Sequence, residues 1–131
     1  AVAAAGASRS ALRMAGISRP HDQLDFLEVS EFYSYQELML YEATGLCGEG
    51  EGADLFSSGD TSPGGRPAVN VSGGALCANP LVATGLVRLA EAAARVTDRA
   101  EYEPGAKGDR ALVHGGGGLA MQTATCMVVE R

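Results

Sequence analysis

Positive charge is scarce in this sequence: ten lysines and arginines stand against sixteen acidic residues, a formal net charge of −6, and the ten are scattered. Phosphate contact needs a surplus of cations on one face, so a nucleic-acid binder is excluded. Long apolar runs are also lacking. No stretch approaches the roughly 20 residues of a membrane span, and no charged-then-apolar leader opens the chain. The expectation is a soluble cytoplasmic protein. Cys47, Cys77 and Cys126 form no close pair and no metal-ligand spacing, which fits reduced thiols. With only two histidines, no metal site is expected. Aromatic residues make up 5% of the chain, and there is no Trp.

Glycine is what the sequence has in plenty, 18 residues and many of them clustered. That density marks backbone that turns tightly or approaches something closely. The length of 131 residues supports one domain whose core stands without disulfides or metals. The run Ala1 to Gly6 reads as the middle of a helix, so the chain is expected to be a piece of a longer protein.

Ala7, Ala11, Leu12 and Ala15 lie at helical spacing, and Gly16 followed by Ile17 predicts a stop with a hydrophobic contact behind it. Leu24 to Ser30 is short, apolar and bounded by turn residues, which predicts a strand buried on both faces. Ser34 and Glu37 form a capping-box pattern opening a helix that runs to about Thr44 and stops at Gly45. From 47 to 67 no periodicity is visible, and the segment reads as one long loop. Ala68 to Val71 is a short strand. Asn79-Pro80 then predicts a helix N-cap with Pro at the first position. Behind it Val82, Leu86, Leu89, Ala93 and Val96 mark the buried face, with Arg88, Glu91, Arg95 and Asp98 opposite. Ala111 to His114 and Thr123 to Val129 read as closing strands separated by Gly115-Gly116-Gly117-Gly118. The alternation predicts a layered α-β-α fold of the α/β class with a mixed, mainly parallel sheet.

The segment 69–85, VNVSGGALCANPLVATG, is a strand running into a Gly-Gly turn and a capped helix, so that backbone N–H groups and Asn79 converge above the sheet. It resembles the thiolase superfamily signature, in which an Asn, two residues and Gly-Gly lead into Gly-His-Pro and then a small residue and Gly. Three further stretches agree in the same order. LEVSEFYSYQEL resembles the strand and loop carrying Asn-Glu-Ala-Phe, or His-Asp-Cys-Phe in the sterol-carrier-protein-type thiolases. YEATGLCGEGEG resembles the next segment of that group, and LVHGGGGLAMQTATCMVVER resembles the closing strand, turn and strand. The resemblance covers nearly the whole chain, is to the C-terminal domain, and is nearest to the sterol-carrier-type thiolases and the lipid-transfer-protein branch that includes thiolase-like aldolases.

The departures bear on chemistry. Gly-His-Pro is replaced by Ala78-Asn79-Pro80, and an amide cannot serve as the base that the family His provides, although it can donate to an oxyanion. The Asn or His of the other loop is Ser30. The third catalytic position aligns with His114, ahead of glycines whose N–H groups form a candidate anion-binding nest. Candidate catalytic residues are therefore His114, Asn79, Ser30 and Tyr33, with Gly74, Gly115 and Gly116 as candidate substrate-binding positions. Each has a structural reading beside it: an N-cap for Asn79, a buried histidine for His114, packing for Tyr33 and Tyr35. A Cys77–His114 dyad is a weaker option, and His21 reads as solvated.

By this resemblance the substrate is an acyl-CoA thioester, with coenzyme A present only as part of it. Losing the Gly-His-Pro histidine disfavours thiolysis and leaves retro-aldol cleavage of a lipid or steroid side-chain thioester, which needs no acyl-enzyme. An authentic acyl-CoA acyltransferase and a non-catalytic acyl-CoA-binding or scaffolding subunit are the alternatives. Implied partners are the N-terminal part of the same protein, a second copy in a homodimer and a small OB-fold protein. The resemblance also implies that the first, central strand of the five-stranded sheet is missing, leaving unpaired backbone on both sides of a gap.

Overall fold

A computed structural model describes residues 2–100 and 108–131. Ala1, the first residue of the run read as mid-helix, lies outside them. The order is α1 (Val2–Met14), α2 (Pro20–Gln23), β1 (Phe26–Val29), α3 (Ser34–Thr44), α4 (Gly52–Ser58), β2 (Ala68–Val69), α5 (Gly74–Cys77), α6 (Thr84–Val96), β3 (Arg110–Gly117) and β4 (Thr123–Glu130). None of the described helices is long and apolar enough to cross a membrane.

The sheet runs β2-β1-β3-β4. β1 is parallel to both β2 and β3, and β4 is antiparallel to β3 over eight residue pairs. This corrects the expected central gap. Phe26 to Val29 pairs directly with Ala111 to His114, so both inner strands satisfy their backbone groups on each other. The helices lie in two layers. Side chains alternate across a strand, so Leu27, Val29 and Leu112 pack against Leu12, Ile17, Leu40 and Tyr41 of the α1 and α3 layer. Phe26, Ala111 and Val113 pack against Ala92 and Val96 of α6.

Helix ends obey local rules. Gly16 has φ +68, and Ile17 N–H reaches back to the Leu12 carbonyl at 2.9 Å, the six-to-one bond of a Schellman stop, with Ile17 buried behind it. Gly45 ends α3 in the same way, with Leu46 N–H on the Tyr41 carbonyl at 3.0 Å. The Ser34–Glu37 box does not form. Tyr33 is the N-cap, and Gln36 Oε1 accepts from Phe32 N–H at 2.8 Å instead.

Three expectations are revised. The loop at 47–67 contains α4, a helix too short to show a period; it enters through Gly52, whose N–H donates to Glu42 Oε1 at 3.3 Å. The strand expected over Ala68 to Val71 keeps only Ala68 and Val69, because Asn70 turns to φ 52. The buried face of α6 is rotated: Val96 is buried and Leu89 half-buried as expected, but Arg88 and Arg95 are 2% and 4% exposed, whereas Leu86 is 70% exposed. The cause is Glu28, a carboxylate on the inner strand β1 that points to the α6 side and draws in a cation. A 3-10 turn, Leu81–Ala83, with Leu81 at φ 53, precedes α6, which begins at Thr84 and not directly after Asn79.

Candidate active site

In open α/β sheets the parallel strands deliver their next residues to a crevice at their carboxyl ends. Here β1 and β3 end side by side. Val29 is in register with His114, and Ser30 N–H donates to the His114 carbonyl at 3.0 Å. Both side chains face a cavity of about 420 Å³ between these strand ends, Ala4 of α1, α3, and Met121. Tyr33, Tyr35 and Met39 stand at its wall from the α3 side.

Ser30 is 0% and His114 2% exposed. Among the described residues neither Ser30 Oγ nor His114 Nδ1 has a hydrogen-bond partner. Buried polar atoms are almost always paired, because an orphan pays its full desolvation cost. These two atoms, at the ends of adjacent strands, are the candidate polar groups of the cavity. Burial lowers the His114 pKa from 6.5 to about 4, since desolvation disfavours the imidazolium. The ring is neutral near pH 7. Gly116 keeps one edge of it open: a Cβ there would sit 3.3 Å from His114 Cε1 and collide with the Met121 methyl.

A second polar group lies on the other side of Ser30. Glu28 accepts from Ser72 N–H at 3.0 Å and from the Ser72 hydroxyl. Arg88 Nη1 lies 3.4 Å from the Glu28 carboxylate and donates to Ser72 Oγ at 2.7 Å. Burial raises the Glu28 pKa against the lowering effect of the Ser72 hydrogen bonds and of Arg88 and Arg95. Glu31, 1% exposed, accepts from Asn70 Nδ2 at 2.7 Å and Leu76 N–H at 3.1 Å. Asn70 Oδ1 in turn accepts from Val29 N–H at 2.7 Å, taking over as ladder partner where β2 ends. Two carboxylates thus staple the segment 70–77 to the end of β1. Sequence reasoning missed this group. Its signal was Glu28 and Glu31 standing beside an apolar strand, with Arg88 and Arg95 at helical spacing.

The structure brings Ser30, Tyr33, His114 and Gly116 together in one cavity. The other candidates lie elsewhere. Gly115 faces α6, where a Cβ would meet Gly85 Cα at 3.4 Å; it lets the helix approach the strand. The glycine nest is corrected: Gly115 to Gly117 are extended and paired with Thr125, Ala124 and Thr123, and only Gly118 turns, at φ 75. Gly74, at φ 64, is a glycine because the Glu31 carboxylate occupies the space of a Cβ. Cys77 is exposed on α5 and does not line the His114 cavity. His21 lies 3.6 Å from both Asp22 and Asp60.

Asn79 is exposed, and its Oδ1 accepts from Leu81 N–H and Thr84 Oγ1, each at 2.9 Å. The expected N-cap does not form, since α6 starts at Thr84 with Ala83 as its N-cap; Asn79 instead makes an Asx turn that ties Leu81 and Thr84 together ahead of the helix. Asn79→Ala is accordingly expected to cost about 1 kcal/mol of stability and Asn79→Asp only a few tenths, read as shifts in the denaturant midpoint.

The thiolase C-terminal domain-like family profile matches residues 1–131. Sterol carrier protein 2 of Oryctolagus cuniculus is 41% identical over 122 residues, 89% of this chain and 22% of that protein. Benzoylsuccinyl-CoA thiolase subunit BbsB of Thauera aromatica is 28% identical over 106 residues, 78% of this chain and 28% of that one. Among solved structures the Ltp2-ChsH2(DUF35) aldolase superposes with a TM-score of 0.78 at 23% identity, over 97% of this chain and 31% of that chain, a likeness of fold. The chain spans about a fifth of the sterol carrier protein 2 relatives it matches. With the four ordered motifs, the profile match over all 131 residues and the shared sheet, the chain belongs to the thiolase C-terminal domain-like family.

Proposed function

We propose that this domain supplies acid–base groups for carbon–carbon bond cleavage in a β-hydroxyacyl-CoA thioester by retro-aldol chemistry. The observation that carries the reading is the buried neutral His114 beside the orphaned Ser30 hydroxyl in one cavity. The His114 imidazole takes the proton of the substrate's β-hydroxyl. The bond between the α and β carbons breaks, its electron pair passes into the thioester as an enolate, and a ketone or aldehyde departs. Ser30 donates to the thioester oxygen as charge develops there. Tyr33, at the cavity wall, is the acid that reprotonates the α carbon to leave a shortened acyl-CoA. The lipid-carrier name of one set of relatives favours a lipid-type acyl group, and the aldolase name of the structural neighbour favours carbon–carbon bond cleavage. The neighbour's name joins two components, which favours a working protein that includes further partner chains.

The test is an assay of the full-length protein with β-hydroxyacyl-CoA substrates, following release of the carbonyl product and of the shortened thioester. Cleavage supports the reading. Tight thioester binding with no turnover of any such substrate overturns it in favour of a non-catalytic acyl-CoA-binding subunit.

A further inference from the structure

The Tyr33 and Tyr35 rings stack with centroids 5.6 Å apart and planes 8° from parallel. Such a stack normally hides apolar ring surface in a core or an interface. Here the two residues remain 59% and 58% exposed, and Met39 beside them is 44% exposed. Single exposed apolar residues mean little, but a contiguous patch on a cavity wall marks a binding surface. Both rings and Met39 line the cavity that holds His114 and Ser30. Two stacked rings fix each other's orientation and present a preformed flat face, at small cost in side-chain freedom because Tyr has only two side-chain torsions. Met39 and Met121 add polarisable thioethers to the same cavity lining.

We infer that the Tyr33–Tyr35 pair is an acyl subsite that selects thioesters carrying a flat, unsaturated ring close to the reacting carbons. This rests on the reading of the cavity as an acyl-thioester site. The shape of the subsite chooses the ring: an aromatic group stacks on a planar phenol face, whereas a puckered saturated ring of the same size touches it only at a few hydrogens. Its position chooses the acyl portion over the adenine of coenzyme A. The tyrosines share a cavity with His114 and Ser30, while the adenine is separated from the thioester by the whole pantetheine arm.

The test is calorimetric titration of the full-length protein with phenylpropionyl-CoA, cyclohexylpropionyl-CoA and free coenzyme A, which share a carrier and differ only in the acyl group. The phenyl compound is expected to bind about tenfold more tightly than the cyclohexyl one, the scale of aromatic stacking on a protein ring. Tyr35→Leu, a change at an exposed position, is expected to bring that ratio close to one. A ratio near one in the unaltered protein, or one that Tyr35→Leu leaves in place, overturns the ring subsite while the thioester site stands. Weaker binding of free coenzyme A by Tyr35→Leu overturns it in favour of adenine stacking. No binding of either acyl-CoA sinks the thioester reading and the subsite with it.

Discussion

His114→Ala is expected to lower kcat/KM for retro-aldol cleavage by about 10²- to 10⁴-fold, the range of a positioned general base. Ser30→Ala is expected to cost less, about tenfold, since it removes one donor and leaves the base in place. The pH profile separates a catalytic from a structural role. Because burial brings the His114 pKa down to about 4, the acid limb of kcat/KM should fall near pH 4 and not near 6.5, and it should vanish from the residual rate of His114→Ala. The same shift has a consequence for stability. A depressed folded-state pKa means that the native protein binds fewer protons than the unfolded chain between the two values. Stability is therefore complete above about pH 6.5 and is lost as pH falls toward about 4, by about 3 kcal/mol. His114→Leu should remove that part of the acid loss, measured as the difference in denaturant midpoint between neutral and mildly acid buffer. An unchanged kcat/KM in His114→Ala, with a protein still folded, would remove His114 from the mechanism.

Much of the frame can be read from the residues because it rests on local chemistry. The Gly16-Ile17 and Gly45 stops are legible since a left-handed glycine followed by a buried apolar residue is a motif in itself. The C-terminal bound of α3 at Thr44 comes from the same local signal, while its start at Ser34 is right although the capping box that marked it does not form. Ser30 and His114 are legible as candidates through the family positions they match, and the structure places both at the ends of adjacent parallel strands. What escapes the sequence depends on pairing across distance. Gly115 to Gly117 look like a turn, since nothing local says that Thr123 to Thr125 will hold them extended. The inward face of α6 is hidden for a similar reason. A periodic Leu and Ala stripe outweighs two arginines until β1 is known to offer Glu28 from below. Asn79 shows the reverse case, where an Asn-Pro pair makes a local turn in place of the expected cap and the functional role suggested by the family position is not needed to explain it.

The largest stability effect is expected at Arg88. Glu28 is 0% and Arg88 2% exposed, so Arg88→Met leaves a carboxylate buried with Ser72 as its nearest partner and Arg95 as the remaining cation acting on it. Breaking a buried pair from one side costs about 3–5 kcal/mol, much more than the net worth of the intact pair, because the remaining charge stays out of water without its ion-pair partner. The direction with pH is set by Glu28. Burial already raises its folded-state pKa above the ordinary value of 4.5, and losing Arg88 raises it further. The native state of Arg88→Met therefore favours a protonated Glu28, and its deficit should be small below pH 4.5 and grow as pH rises through the raised value. The double variant Glu28→Leu, Arg88→Met should recover most of the loss, since an apolar pair of similar volume fills the space without a stranded charge. The two readouts divide the roles of the network. If it only stabilises the fold, the double variant restores both the midpoint and turnover. If Glu28 also sets the 70–77 segment through Ser72, the midpoint returns while turnover stays depressed, because Ser72 has then lost its acceptor. A cost below about 1 kcal/mol for Arg88→Met at neutral pH would mean that the Glu28–Arg88 pair is not the reason α6 turns its arginines inward.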